Sequence, residues 1–341
     1  MASAQIVING CGILGRSLIR DLYTNIVAII DPKMSVEEVA YLLKYDSISS
    51  QFTEYKNLNI STDSSSSTSL TIDGKIIPFY TQEITADATC PSEVSGAYFI
   101  ECTGTWTPST NQIASVASAA KIILAYDYGD TSVPYVTLAN LNTVTAETQT
   151  YQLGDIHLNP MSCVDTLIID NNLMSGDFIR HTIITGATNA QKVQDAASSS
   201  DYARGRSAMI NIIPLNTNSG KYVGKIIPVL NGKVTSSELR VPLATGCILK
   251  TAFVPAESSK DSINVILKKA ADAKELIAAY FEDAITSSDI PYHFYDGMPA
   301  ALALRTYYDT TLAEITVAYD PIWCLVYDVE KVIEKCASVS A

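Results

Sequence analysis

The chain alternates short apolar runs with polar breaks. Residues 5–9 form the first run, which stops at three closely spaced glycines, Gly10, Gly12 and Gly15. Helical spacing follows over 16–23, and a second apolar run over 26–30 ends at Asp31. Strand, glycine turn, helix, strand and acid in that order predict a β-α-β unit. Residues 61–69 are polar and of low complexity, which predicts a surface loop. Apolar stretches over 70–72 and 76–80 flank Asp73-Gly74 and predict a hairpin. Residues 98–101 and 121–125 read as buried strands, with helical spacing over 111–120 between them. A mostly parallel sheet covered by helices is the architecture this predicts for residues 1–160.

Beyond Cys163 the pattern changes. Strand-like stretches over 178–185, 237–242, 247–255 and 312–318 are interrupted by one helical stretch over 260–281. They predict a second, α+β domain with an antiparallel sheet, and residues 326–336 predict a last amphipathic helix. The expected fold class is therefore α/β: a Rossmann-type unit followed by an α+β unit.

Composition narrows the possible roles. Of 341 residues, 47% are apolar, enough for a sizeable core, and no run of eighteen apolar residues predicts a membrane span. The net charge of −13 argues against nucleic acid as a partner, because phosphate binding needs a basic surface. Seven cysteines without a CxxC pair, and only three histidines, argue against a metal site. With no leader-like segment at the start, reduced thiols make a cytoplasmic location the expectation.

The glycine turn carries candidate chemistry. Its glycines allow the backbone to approach a pyrophosphate seated on the following helix N-terminus. Asp31 would accept from the ribose hydroxyls and repel a 2′-phosphate, so NAD is the expected cofactor. Without a ligand, the same residues make an ordinary tight turn.

Several segments together resemble the glyceraldehyde-3-phosphate dehydrogenase family. They are INGCGILGR over 8–16, Asp31-Pro32, Lys44-Tyr45-Asp46-Ser47, Glu101-Cys102-Thr103-Gly104, Asn211-Ile212-Ile213-Pro214, Val223-Gly224-Lys225, Asn231-Gly232-Lys233 and Arg240-Val241-Pro242. The resemblance implies an NAD-binding domain over 1–160 and a catalytic-type domain over 161–318. It also implies a C-terminal helix, 319–341, packing back on the first domain. A small phosphorylated substrate and assembly as a homo-oligomer, usually a homotetramer, or within a larger complex are implied too.

The family's site residues carry over unevenly. Ser162-Cys163-Val164 matches the stretch that opens a helix with the nucleophile, so Cys163 is the candidate nucleophile; an inert core cysteine is its other reading. The family's general-base histidine falls on Thr185, which cannot titrate near neutrality. His181 lies about 13 Å along the same strand face, and His157 and His293 read as surface or structural residues. Gly10, Gly12, Ile13, Leu14 and Asp31 are the candidate cofactor contacts, whereas the asparagine that holds the nicotinamide carboxamide is replaced by Pro321. Ser162, Thr188, Thr217 and Arg240 are the candidate phosphate contacts, with Arg204 or Arg206 as added charge and Val164 and Asn218 as departures. For Arg240, a structural salt bridge is the competing reading. Two functions stay open on the sequence: a catalytically impaired structural subunit, and a working NAD-dependent dehydrogenase of a divergent lineage.

Overall fold

In the computed structural model the described residues are 4–48, 59–62, 68–188, 190–198, 201–256, 259–290 and 298–340. The chain divides into two compact units. One holds residues 1–136, 140–155 and 325–341, and the other 137–139 and 156–324.

The first unit begins with β1 (Ile6–Asn9), α1 (Ile13–Leu22), β2 (Ile26–Ile30) and α2 (Val36–Lys44). Strands β3 (Ile60–Thr62), β4 (Ser69–Ile72), β5 (Lys75–Tyr80), β6 (Tyr98–Glu101), β7 (Lys121–Leu124) and β8 (Thr150–Gln152) complete it. Strand order is β3-β4-β5-β2-β1-β6-β7-β8. From β5 to β8 every pairing is parallel, and β3 and β4 add antiparallel to one edge. Parallel strands need apolar residues on both faces. β1 and β7 are buried at every position, and Val7, Ala28, Phe99 and Ile122 meet in one core where the Phe99 and Trp106 rings stack. The order reverses between β1 and β6, which opens a crevice at their carboxyl ends.

The second unit contains α3 (Leu158–Asp170), β9 (Met174–Gly186), β10 (Ile213–Asn216), α4 (Ser219–Ile226), β11 (Val234–Val241) and β12 (Cys247–Pro255). It continues through α5 (Lys260–Ala273), β13 (Ala279–Phe281), β14 (Ala300–Leu302), β15 (Tyr307–Tyr308) and β16 (Ala313–Tyr319). The last helix, α6 (Pro321–Ser340), starts here, and its residues from Leu325 group with the first unit. The sheet runs β10-β11-β9-β12-β16-β14-β13, with β15 on β16. Most pairings are antiparallel; β11–β9 and β13–β14 are parallel.

The Asp73-Gly74 hairpin forms as expected, with both residues at positive φ. Three expectations change. The expected helix over 111–120 is a short 3-10 turn at Gln112–Val116. The helix expected over 260–281 stops at Ala273, where Lys274 takes a left-handed cap, and Ala279–Phe281 pairs as an edge strand. Within the loop expected over 61–69, both ends are strand, and residues 63–67 lie outside the described residues.

Candidate active site

In the first unit the glycine turn connects β1 to α1. Gly10 has φ of +100°, and a Cβ there would lie 2.8 Å from the Thr103 backbone nitrogen. A Cβ on Gly15 would come within 1.9 Å of the Gly10 carbonyl oxygen. Both positions therefore demand glycine for packing. Gly12 differs: a Cβ there meets nothing within 4 Å. It is the N-cap of α1, no side chain caps that end, and no acid lies in the first turn, where Ile13 and Leu14 sit. The free amides of a helix start face open space at Gly12, which fits a pyrophosphate.

Asp31 closes β2 with its carboxylate buried. Oδ2 accepts from the Cys11 amide at 2.6 Å, and Oδ1 accepts from the Lys33 and Met34 amides at 2.8 and 2.7 Å. These bonds take three of about four acceptor positions on a carboxylate. At most one remains for a ribose hydroxyl. Arg16 braces the turn, donating to the Cys11 carbonyl at 2.9 Å and pairing with Asp46 at 2.9 Å.

In the second unit, one cross-strand row defines the candidate catalytic face. Arg240 on β11 pairs in register with Thr185 on β9, Thr185 with Cys247 on β12, and Cys247 with Tyr319 on β16. All four are buried and share one face. The Cys247 thiol donates to Thr185 Oγ1 at 2.8 Å. Burial pushes the Cys247 thiol up to about 12.

His157, the N-cap of α3, joins this row. Its Nδ1 lies 2.6 Å from the Tyr319 hydroxyl, and its Nε2 lies 3.7 Å from Glu238 Oε1. Glu238 also forms an ion pair with Arg240. Burial pushes the Glu238 carboxyl up, but His157 and Arg240 outweigh it and hold the group below the ordinary glutamate range. Arg240 also donates to the Gly186 carbonyl at 3.3 Å.

Cys163 does not open a helix. It is the sixth residue of α3, fully buried, and donates to Asn159 Oδ1 at 3.1 Å within its own helix. Two residues on, Asp165 Oδ2 meets His181 Nε2 at 3.0 Å, and His181 Nδ1 lies 3.0 Å from Thr251 Oγ1. This contact sets the alignment of α3 against β9. From His181 to Thr185 the strand climbs about 13 Å, which α3, running the other way, covers in about nine residues. That brings His157 level with Thr185, in agreement with the His157–Tyr319 bond. Cys163 sits only about 3 Å along the axis from Asp165, well short of the row.

The remaining candidates are satisfied locally. Ser162 is buried, donating to the Asn159 carbonyl at 2.9 Å and lying 2.9 Å from Thr137 Oγ1. Thr188 donates to Gln191 Oε1 at 3.0 Å, and Thr217 Oγ1 lies 2.7 Å from Ser219 Oγ beside the start of α4. Arg206 pairs with Asp195 at the surface. Pro321 is the first residue of α6, a position that suits proline because its missing amide hydrogen has no helical partner there. Asp320 caps that helix, accepting from the Ile322 and Trp323 amides at 2.9 and 3.0 Å. His157 is buried rather than at the surface, and His293 lies outside the described residues. Among the described residues no group of His, Cys, Asp or Glu could hold a metal ion, and no helix is long and apolar enough to cross a membrane.

Sequence reasoning missed Glu238 and Cys247. Glu238 was within reach, since it stands two residues before Arg240 on a strand and so shares its face.

The structure defines a class of two-unit protein: a parallel dinucleotide-type sheet joined to a mixed-sheet α+β unit. Comparison with known proteins narrows it. Residues 4–109 match "Glyceraldehyde 3-phosphate dehydrogenase, NAD binding domain", and residues 167–320 match "Glyceraldehyde 3-phosphate dehydrogenase, C-terminal domain". The chain is 33% identical over 297 residues to the glyceraldehyde-3-phosphate dehydrogenase of Sclerotinia sclerotiorum, covering 85% of each chain. It is 31% identical over 303 residues to that of Neurospora crassa, covering 87% of this chain and 85% of the relative. Identity to glyceraldehyde-3-phosphate dehydrogenase B of Aspergillus oryzae is 30% over 336 residues, 94% of each. The chain belongs to the glyceraldehyde-3-phosphate dehydrogenase family. NAD is the cofactor to which its matched N-terminal domain corresponds. Cys163 falls between the two matched stretches.

Proposed function

We propose that this chain is a nucleotide-binding member of the family that has lost most or all aldehyde-oxidising activity and acts as a structural subunit. The observation that carries this reading is the placement of Cys163 inside α3, fully buried, while Thr185 is hydrogen-bonded to Cys247. Oxidation of an aldehyde through a thioester needs a thiolate within reach of the carbonyl and a base to take the hydroxyl proton. Cys163 offers the sulfur to Asn159, and Thr185 offers no base.

The substrate side supports the same reading. Arg240, the candidate partner for a substrate phosphate, already holds a carboxylate, Glu238. A phosphate would have to displace that buried pair, at the cost of leaving Glu238 against nothing but His157.

NAD, when bound, would supply a hydride acceptor. The chain's own residues would hold its pyrophosphate on the amides at the start of α1 and its adenosine ribose on Asp31. Pro321 offers no group to a carboxamide, and the structural need it meets is the start of α6.

An assembly role is supported by Val193, Tyr202, Met209, Ile210 and Ile212, which expose large apolar side chains within twenty residues of chain. A homo-oligomer would bury them, and sedimentation velocity should show a species larger than one chain. Seven free cysteines support a reducing, cytosol-like location.

The catalytic half is tested by intact-mass spectrometry. Protein mixed with NAD and glyceraldehyde 3-phosphate and quenched in acid should carry no acyl adduct. A stoichiometric thioester on Cys163 would contradict the proposal.

A further inference from the structure

Glu101 ends β6, at the reversal of strand order beside the glycine turn, and its buried carboxylate joins the two loops that form the crevice. From the loop after β6, the Thr103 amide donates to Oε1 at 2.7 Å, and the Thr103 hydroxyl donates to the same oxygen. From the end of β1, Asn9 Nδ2 donates to Oε2. Thr103 in turn packs against Gly10, the residue whose lack of a side chain makes room for it. The shape of the glycine turn is thus fixed through a chain of contacts from Glu101 to Thr103 to Gly10.

This carboxylate has an unusual electrostatic setting. Burial pushes it up to about 7, against the pull of the Thr103, Asn9 and Gly104 donors. The titratable groups that face it are Cys102 on its own loop and Tyr126 from the loop after β7, both raised chiefly by burial. Asn9 can serve both protonation states. Its Oδ1 is buried without a partner, so a half-turn of the amide would let it accept from a protonated Glu101.

We infer that Glu101 is a positioning residue for the dinucleotide, holding the Asn9 and Thr103 loops in register and taking up a proton when a diphosphate enters the crevice. This rests on the dinucleotide reading of the glycine turn. A second negative charge nearby disfavours the ionised carboxylate, so binding draws one proton from the solvent to Glu101 wherever it is still ionised. Dinucleotide affinity therefore falls as pH rises through neutrality, a linkage that neither the glycine motif nor Asp31 would produce.

Calorimetry with ADP-ribose at pH 6 and pH 8, on the full chain and on Glu101→Gln, tests this. For a one-unit rise of the carboxylate in the complex, wild-type affinity should drop about fivefold between the two pH values. Proton uptake at pH 7.5, read from buffers of different ionisation enthalpy, should be about half a proton. Glu101→Gln, a neutral mimic, should bind with the same affinity at both pH values and take up none. A flat wild-type profile with binding intact would overturn the inference and leave the dinucleotide reading standing. No binding at millimolar ADP-ribose at either pH would overturn both. Thermal unfolding without ligand gives an independent arm. A buried carboxyl raised to about 7 favours the folded state below the unfolded value and loses that contribution as pH rises through 7. The Tm of wild type relative to Glu101→Gln should fall from pH 5 to about pH 7 and level off above it, and a constant difference would contradict the proton-binding role.

Discussion

The Cys247 thiol donates to Thr185 Oγ1 across 2.8 Å, tying adjacent strands together. The pair is fully buried, so its contribution is structural. Thr185→Val should cost about 1 kcal/mol, the worth of one neutral hydrogen bond, read from urea unfolding. Thr185→His should cost about 1–3 kcal/mol through overpacking and should restore no turnover, because Cys163 lies deep in α3. A gain of NAD reduction in Thr185→His would show that the thiol is within reach.

Thiol reactivity should follow burial. Cys90 and Cys102 are partly exposed, whereas Cys11, Cys163, Cys247, Cys324 and Cys336 are buried. Iodoacetamide on native protein should label Cys90 first, because burial holds the Cys102 thiol protonated, with Cys163 modified only on unfolding. Rapid, selective labelling of Cys163 at neutral pH, mapped by peptide mass spectrometry, would contradict its placement.

The Glu238–Arg240 pair should govern part of the acid sensitivity. Both side chains are largely buried, and Glu238 is held below its ordinary range. A depressed carboxylate stabilises the fold above its unfolded value of about 4.3 and loses that contribution as pH falls through the folded value. Glu238→Gln should cost about 3 kcal/mol at pH 7 by leaving Arg240 unpaired. That gap should narrow as pH falls below about 5 in urea titrations. A gap that stays constant would mean the pair is not what Glu238 contributes.

Nucleotide binding should depend on the adenosine end. The α1 start carries no side-chain cap, whereas Pro321 has no side-chain donor or acceptor to offer a carboxamide. ADP-ribose should bind within about threefold of NAD, roughly 0.6 kcal/mol, and Asp31→Ala should weaken both alike. Calorimetry showing NAD tenfold tighter would point to an intact nicotinamide contact.

Much of this was legible in the chain because local rules agreed with global ones. The glycines, Asp31 and the first apolar runs predict β1, α1 and β2, since each residue's reason lies within thirty positions of sequence. Ala279–Phe281 was missed because Ala, Tyr and Phe continue a helical pattern, and only pairing with Ala300–Leu302 makes them a strand. The place of Cys163 within α3 was not legible for a related reason. A Ser-Cys match is short, whereas the start of α3 is fixed by contacts remote in sequence: Asp165 with His181, and His157 with Tyr319. Glu238 shows the converse, since period-two spacing from Arg240 made that partnership readable without a structure.

The central claim is that the fold and nucleotide crevice persist without a working nucleophile and base. It is tested most directly by NAD reduction in the presence of glyceraldehyde 3-phosphate and phosphate, measured beside the Sclerotinia sclerotiorum relative under identical conditions. Loss of general-base catalysis alone predicts a rate at least about 100-fold lower, and the burial of Cys163 predicts one at background. Turnover equal to that of the relative would contradict the account.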